Sequence, residues 1–347
     1  MLCNQVLLNI NKKIKLTQKE LEKTLRAVLT TSNFWKIAEL SELTLPFLSS
    51  VLRSLQEQEI IKIKDDKILL SSKGKKLIQE LCITKIQKFT CPYCKTEGVN
   101  FNLLNIKKKF LELQKNRPQP LRKYDQGYIT PETTLKRVSF AISKGDVTNK
   151  EIFIIGDDDL VSVALGLTRL PKRIVVVDID KRLIDFISKI SKKESLNLEV
   201  LTLDVREPLP KEFLHKFDTF FTDPSETLEA LKMFVGRGLV SLKGVGSAGY
   251  FGLTHIEASL DKWHKFEKII LSEFNCVITD IISNFNEYVN WPYATQTRAF
   301  KISPVKSVPK NNWYKSSLIR IELLKRVNWN PKVRKKNIYI DKEASTT

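Results

Sequence analysis

The sequence predicts an α/β protein, a doubly wound parallel sheet preceded by a small winged-helix-like domain. Three observations carry that expectation. From about Tyr124 onward, short apolar runs alternate with amphipathic helical segments, as in a parallel sheet covered on both faces. Before residue 85, three helical segments lead into two short strands. The length, 347 residues, suits roughly two domains of about 150 residues each. With 42% apolar and 28% charged residues, the composition is that of a folded globular chain. No stretch approaches the ~20 apolar residues of a membrane span, and Met1 to Lys15 lacks the ordered regions of a signal peptide. No membrane role is expected.

The first segment, residues 1–85, reads as the winged-helix-like domain. Thr17 to Val28 carries Leu21, Leu25 and Val28 at helical spacing, with Thr17 and Glu20 placed as a capping box. Trp35 to Leu40 suggests a second short helix. A third begins near Thr44 with Pro46 in its first turn. Ile60–Ile63 and Ile68–Leu70 flank Lys64-Asp65-Asp66-Lys67 as a hairpin, and Ser72–Leu81 returns as a helix. Fifteen Lys/Arg against nine Asp/Glu make this segment basic, which suits nucleic acid. A packing or dimerisation module fits as well, because Arg53 is the one basic residue on the candidate recognition helix, too little for base readout.

Residues 86–123 read as a connector. Cys91-Pro-Tyr-Cys94 is half of a zinc site without a matching pair downstream; Cys82 could be a third ligand. A bound ion and an incomplete knuckle stand level. Lys107 to Lys123, with seven basic residues and two prolines, reads as a solvated linker.

Residues 124–303 form the expected catalytic domain. Strands are read at Glu151–Ile155, Arg173–Val177, Leu198–Thr202, Phe217–Thr222, Ser247–Thr254, Cys276–Ile282 and Arg298–Ile302. Helices are read at Leu160–Leu167, Lys181–Ser191, Glu226–Val235 and Ser259–Glu273. Residues 304–347 follow as a basic C-terminal region, with Trp313, Tyr314 and Trp329 interleaved. A mobile solvated tail and a lid over the site are both open for Lys325–Lys342.

Four successive strand ends carry acids: Asp157-Asp158-Asp159 after Gly156, then Asp178 with Asp180, Asp204 and Asp223. Topology gathers them along one crevice at the carboxyl ends of the strands. A dinucleotide site would place glycines and helical N–H groups there for a pyrophosphate. Three carboxylates would repel phosphate instead. The chain as a whole holds 58 Lys/Arg against 39 Asp/Glu, a net of +19. A protein this basic that concentrates acids in its crevice is built for a cation. Like charges in one turn cost stability unless a cation neutralises them. Asp178, twenty-two residues after Gly156, fits the acid that accepts from ribose hydroxyls. The ligand is therefore expected to be adenosine-type and positively charged, such as S-adenosylmethionine or its decarboxylated form.

Gly156-Asp-Asp-Asp-Leu160, Tyr124-Asp-Gln126 and Asp223-Pro-Ser-Glu-Thr227 resemble the motifs of the branched-chain polyamine synthases, the N4-bis(aminopropyl)spermidine synthases. Gly246-Ser-Ala-Gly-Tyr-Phe-Gly-Leu-Thr254 and Asn290-Trp-Pro-Tyr293 do so too. The resemblance is strong over about 115–325; Ser225 stands where many members are expected to carry a second proline. It implies a Rossmann-like, class I methyltransferase-like catalytic domain behind a winged-helix-like one. It also implies an aminopropyltransferase that alkylates the central amine of spermidine twice and releases 5′-methylthioadenosine. Decarboxylated S-adenosylmethionine would be a co-substrate, with no resident cofactor.

The resemblance places Asp159 as general base. It sets Gly156, Asp157, Asp178, Asp204 and Gln126 at the donor, and Asp158, Asp223, Glu226 and Tyr293 at the acceptor. Tyr124, Asp125 and Gln126 would close over the donor. A second reading, a nucleic-acid amino-methyltransferase using S-adenosylmethionine, draws on Asp223-Pro-Ser-Glu226. It lacks the aromatic residue that stacks on a flipped base. Five cysteines, an odd number, argue against a disulfide framework, so the cytoplasm is the expected compartment. A homodimer is the expected assembly. Nucleic acid contact is not required, and the lysine and isoleucine content is in keeping with a thermophilic source.

Overall fold

The computed structural model describes residues 2–85, 103–332 and 337–346. Cys91 and Cys94 lie outside the described residues, so the expected zinc half-site does too.

The chain opens with a helix not anticipated from the sequence, α1 (Leu2–Asn11), which buries Cys3, Val6 and Ile10. α2 (Gln18–Thr30) starts at the expected capping box between Thr17 and Glu20. α3 (Phe34–Ser41), α4 (Leu45–Glu57), the antiparallel pair β1 (Ile61–Lys64) and β2 (Lys67–Leu70), and α5 (Ser72–Glu80) follow. Their apolar faces share one core with Trp291, Tyr293, Trp313 and Tyr314 from the far end of the chain. Polar contacts cross the same boundary: Trp35 Nε1 donates to the Ser307 carbonyl at 3.1 Å and the Leu45 amide to that of Ile256 at 2.9 Å. Arg53 donates to the Ile302 carbonyl at 2.6 Å. The guanidinium considered for base readout is thus engaged within the chain.

After α6 (Leu104–Leu113) and α7 (Pro131–Ser143) comes the main sheet. Its strands are β3 (Glu151–Ile155), β4 (Arg173–Asp178), β5 (Leu198–Thr202), β6 (Thr219–Thr222), β7 (Ala248–Leu253), β8 (Cys276–Glu287) and β9 (Lys315–Leu323). The order is β5-β4-β3-β6-β7-β9-β8. The first five strands are parallel, while β9 runs antiparallel to both neighbours. The sheet is therefore mixed, not wholly parallel as expected. Helices α8 (Val161–Thr168), α9 (Lys181–Lys193), α10 (Leu228–Ser241) and α11 (Leu260–Lys268) fill the crossovers. Each face of the sheet has its own core. One centres on Phe153, Val175 and Phe220 with α10 and α11, the other on Ile154, Val176 and Phe221 with α7, α8 and α9. Burial on both faces explains why these strands read as continuous apolar runs.

Two expectations fail at the C-terminal end. Arg298–Ile302, expected as a strand, is a short helix, α12, which Thr297 caps by accepting from the Phe300 amide. Three apolar residues, Ala299, Phe300 and Ile302, set among two cations in so short a segment do not by themselves distinguish the two. The missing strand is β9, inside the region read as a basic tail. Its Arg320 is satisfied in the interior, donating to Asp146 at 2.8 Å and to Tyr250 Oη at 3.0 Å. Residues 337–346 do not trail into solvent. Arg298 holds the carbonyls of Lys342 and Ala344, and Lys262 pairs with Asp341 at 2.7 Å. Ser345 and Thr346 are buried against Glu257.

Candidate active site

Parallel strands end in turns whose first side chains face the crevice above the sheet. Gly156 takes φ +70°, which suits glycine, and its amide donates to the Val177 carbonyl at 2.9 Å. The chain is then led through Asp157, Asp158 and Asp159 in a tight turn that closes at Leu160, itself left-handed at φ 56°. The three aspartates point to three different destinations.

Asp157 is fully buried and turned under α8, accepting from the Ser162 amide at 3.2 Å and from its hydroxyl. Burial raises its pKa to about 8 against the lowering effect of those bonds. It does not line the crevice. Asp159 is 3% exposed. One oxygen accepts from the Ile129 amide at 2.8 Å and the other from Arg137 Nη1 at 3.0 Å. Burial pushes its pKa well above the usual range, and Arg137 pulls it back. Both oxygens of the expected base are committed inside the protein. Asp158, the middle residue, lines the crevice. Its pKa is raised to about 7, by burial first and then by Asp178 and Asp223, with Arg117 acting the other way.

The crevice has two lobes. The first, about 580 Å³, is lined by Gly156, Asp158, Asp178, Asp204, Tyr124, Gln126, Leu203, Val205, Phe234 and Tyr339, among others. Asp178 accepts from the amides of Asp157 at 3.1 Å and Asp180 at 2.7 Å, which fixes its plane at the end of β4. Burial raises its pKa to about 6. Asp204 is chelated by Arg206, whose Nε donates to both oxygens at 3.0 and 2.9 Å. Burial acts upward on Asp204, yet those bonds prevail and its pKa is lowered. Gln126 bridges the Leu121 amide (2.8 Å) and Asp180 (3.1 Å), fixing the segment before α7 over this lobe.

The second lobe, about 420 Å³, shares Asp125, Asp158, Asp223 and Ser225 with the first. It adds Glu226, Tyr288, Trp291, Tyr314 and Thr346. Asp223 accepts from Arg137 Nη2 at 3.1 Å and Tyr288 Oη at 2.8 Å. It fits because residue 252 is glycine: a Cβ there would lie 2.1 Å from Asp223 Oδ1. Gly127 similarly admits Trp291, whose Nε1 would meet a Cβ at 2.3 Å. Tyr314 stands at 88° to Tyr288 and 81° to Trp291, with centroids 5.1 Å apart in each pair. Burial raises the Asp125 and Glu226 pKa values well above normal, with Glu257 adding to both. Tyr293 does not line the lobe. Its hydroxyl donates to the Gln126 carbonyl at 2.6 Å and holds the loop from behind.

The sequence reading missed several participants, Tyr288 of the aromatic wall among them. Arg137 left no signal, being one arginine within a helix. Glu257 anchors the C-terminus by accepting from Tyr314 Oη at 2.6 Å and from the Thr346 amide at 2.7 Å. Tyr339 and Thr346 reach the two lobes from the region read as a tail. What the arrangement offers is a crevice with too many carboxylates for the cations around it and a wall of aromatic rings. It selects for an extended polycation beside a nucleoside-shaped ligand.

Comparison with known proteins bears on the same region. The family model described as the branched-chain polyamine synthase A C-terminal domain matches residues 105–346. The N(4)-bis(aminopropyl)spermidine synthase of Methanocaldococcus jannaschii is 48% identical over 90% of this chain and 89% of its own. That of Thermococcus kodakarensis is 45% identical over 96% of each chain. The solved structure of the branched-chain polyamine synthase from Thermus thermophilus, in complex with N4-aminopropylspermidine and 5′-methylthioadenosine, is similar across 100% of this chain and 99% of that one. The TM-score is 0.91 at 39% identity.

Proposed function

This chain belongs to the branched-chain polyamine synthase family, and from that premise and the crevice geometry we propose that it transfers aminopropyl groups from decarboxylated S-adenosylmethionine to the central amine of spermidine. Two transfers give N4-bis(aminopropyl)spermidine and two molecules of 5′-methylthioadenosine. The observation that carries the reading is the pairing of the two lobes through Asp158.

In the first lobe, Asp178 accepts from the ribose hydroxyls, and Asp204 with Leu203 and Val205 borders the adenine. In the second, Asp125, Asp223 and Glu226 receive the terminal ammonium groups. The acceptor nitrogen then lies at the junction, facing the donor carbon bonded to sulfur. Its proton must leave before it can attack. Asp158 is the base we assign, one residue before the one expected, since Asp159 has no free oxygen directed at the crevice. A carboxylate with a pKa near 7 is matched to proton transfer at neutral pH. The nitrogen lone pair forms the new N–C bond while the C–S bond breaks. The electron pair stays on sulfur, which departs as an uncharged thioether. Fixing both partners in line supplies much of the acceleration.

The second transfer starts from a tertiary amine and ends at a quaternary centre, which has no N–H to offer a carboxylate. The Tyr288, Trp291 and Tyr314 wall suits that product through cation–π attraction. The methyltransferase reading fits less well, because nothing aromatic replaces Glu226 in the Asp223 turn. Mass spectrometry after incubation with decarboxylated S-adenosylmethionine and spermidine tests the assignment. Two successive aminopropyl additions with release of methylthioadenosine are expected. Methyl transfer from ordinary S-adenosylmethionine, with no aminopropyl product, would refute it.

A further inference from the structure

Arg137 lies on α7, outside every motif, and its side chain is 3% exposed. It ties together elements that are distant in sequence. Nη1 donates to Asp159 at 3.0 Å; Nη2 donates to Asp223 at 3.1 Å and to Asn286 Oδ1 at 2.9 Å. Asn286 reaches it because β8 loses register between Ile282 and Asn286 and turns inward. Asp159 relays the contact, since its other oxygen holds the Ile129 amide at the end of the segment carrying Asp125, Gln126 and Gly127. Thr134 on the same helix also holds the Asp159 carbonyl at 3.0 Å.

We propose that Arg137 is the positioning residue of the acceptor lobe. It clamps Asp223 directly and the Asp125–Gly127 loop through Asp159, so that Asp158 alone in the triple-aspartate turn is left to take a proton. The inference rests on the aminopropyl-transfer reading and extends it to a residue that touches neither substrate. One guanidinium serves two carboxylates, Asp159 in the interior and Asp223 on the crevice wall, and its planar fork reaches both at once. A lysine, with a single point charge, would hold one of them well at a time.

The charges facing Asp158 are Asp157 and Asp159 on its own turn, Asp178 and Asp223 on neighbouring strand ends, Arg117, and Asp125 and Glu226 across the crevice. Arg137 offsets two of the acids nearest this group. Replacing it by methionine removes that offset, and the crevice then needs a higher pH to reach its working ionisation. Replacing Asp159 by asparagine keeps an acceptor for the Ile129 amide but removes a negative charge, so the working ionisation is reached at lower pH.

The test compares R137M, R137K and D159N with wild type in the full chain, reading kcat/KM for spermidine against pH. For R137M a loss of about 100-fold is expected, with the acidic limb moved up by about one pH unit, the size of a close charge effect. R137K should recover part of both. D159N should move the limb the other way. Methylthioadenosine affinity by calorimetry should fall less than spermidine affinity in all of them, since Asp178 and Asp204, assigned to the nucleoside, make no contact with Arg137. Spermidine binding by calorimetry over the same pH range gives the same comparison where turnover is too low to measure. Limbs unmoved in both R137M and D159N, or moved in the same direction, would overturn the proposal. Wild-type protein that binds spermidine but makes no aminopropyl product would instead sink the reading beneath it.

Discussion

The two lobes of the crevice use the same side chain in opposite ways. The acids that line only the donor lobe have partners from the protein: Asp178 two backbone amides, Asp204 the fork of Arg206. Such acids keep lone pairs for hydroxyl groups and ring edges without demanding a cation. In the acceptor lobe Asp125, Asp158 and Glu226 crowd one another, and burial raises the pKa of each. Those acids lack the charge that a polyamine brings. A carboxylate's missing partner thus reports the charge of its ligand, which its presence alone does not.

The largest expected effect breaks the acceptor side of this contrast. Asp158→Asn keeps the shape of the turn and removes the base proposed above, and turnover should fall ~10²–10⁴-fold, the usual worth of acid–base catalysis. Methylthioadenosine binding, measured by calorimetry, should persist because Asp178 and Asp204 are untouched. If Asp158→Asn works within about threefold of wild type while Asp159→Asn is dead, the base returns to Asp159.

Much of this contrast was legible in the sequence, but not its direction. Acids at four strand ends and a single glycine before them predicted a crevice for a cationic, adenosine-like ligand, because strand alternation fixes which ends share a rim. Which of Asp157, Asp158 and Asp159 faces inward depends on the φ of Gly156 and Leu160, and on Ser162 and Arg137 waiting to receive the other two. Those partners come from elsewhere in the chain and carry no local pattern. The same limit hid β9. Its Lys315, Arg320 and Glu322 looked like tail residues because the partner of Arg320, Asp146, is 174 positions away. Glu257, too, is intelligible only once Ser345 and Thr346 fold back onto it.

A second prediction sharpens the contrast through the donor. Ordinary S-adenosylmethionine adds a carboxylate to the arm that points toward the acid-rich junction. Like charges close together in a partly buried site oppose binding. Its affinity should be lower than that of the decarboxylated form by about two orders of magnitude, each tenfold step being about 1.4 kcal/mol. Equal affinities in a calorimetric comparison would mean that the donor arm does not enter the acidic lobe.

Acidification supplies a third, at about tenfold. Acids with raised pKa values take up protons as pH falls toward 6, whereas the terminal amines of spermidine stay charged throughout. Spermidine must then displace protons to bind, so its affinity should weaken about tenfold from pH 8 to pH 6. The sign also holds for stability. An acid whose folded pKa is raised binds protons better folded than unfolded, so its contribution to stability declines as pH rises from about 4 to 7. Spermidine should therefore raise the melting temperature more at pH 8 than at pH 6. A thermal shift independent of pH would place the polyamine away from Asp158.

The smallest effect belongs to the donor lobe and completes the contrast. Asp204→Asn removes a charge that Arg206 already neutralises at a partly exposed site, with the two side chains 28% and 31% exposed. Exposed pairs of this kind contribute little, up to ~1 kcal/mol. The asparagine keeps an oxygen and gains an N–H for the ligand's edge. Affinity for decarboxylated S-adenosylmethionine should change about threefold at most, and kcat should hold. Glu226→Gln, the same change in the acceptor lobe, removes a charge that a terminal ammonium needs, and KM for spermidine should rise about tenfold. The ratio of these two effects is the measurement that matters. If Asp204→Asn costs as much as Glu226→Gln, the acids of the two lobes do equivalent work, and partnering by Arg206 does not separate an acid that shapes a site from one that holds a charge.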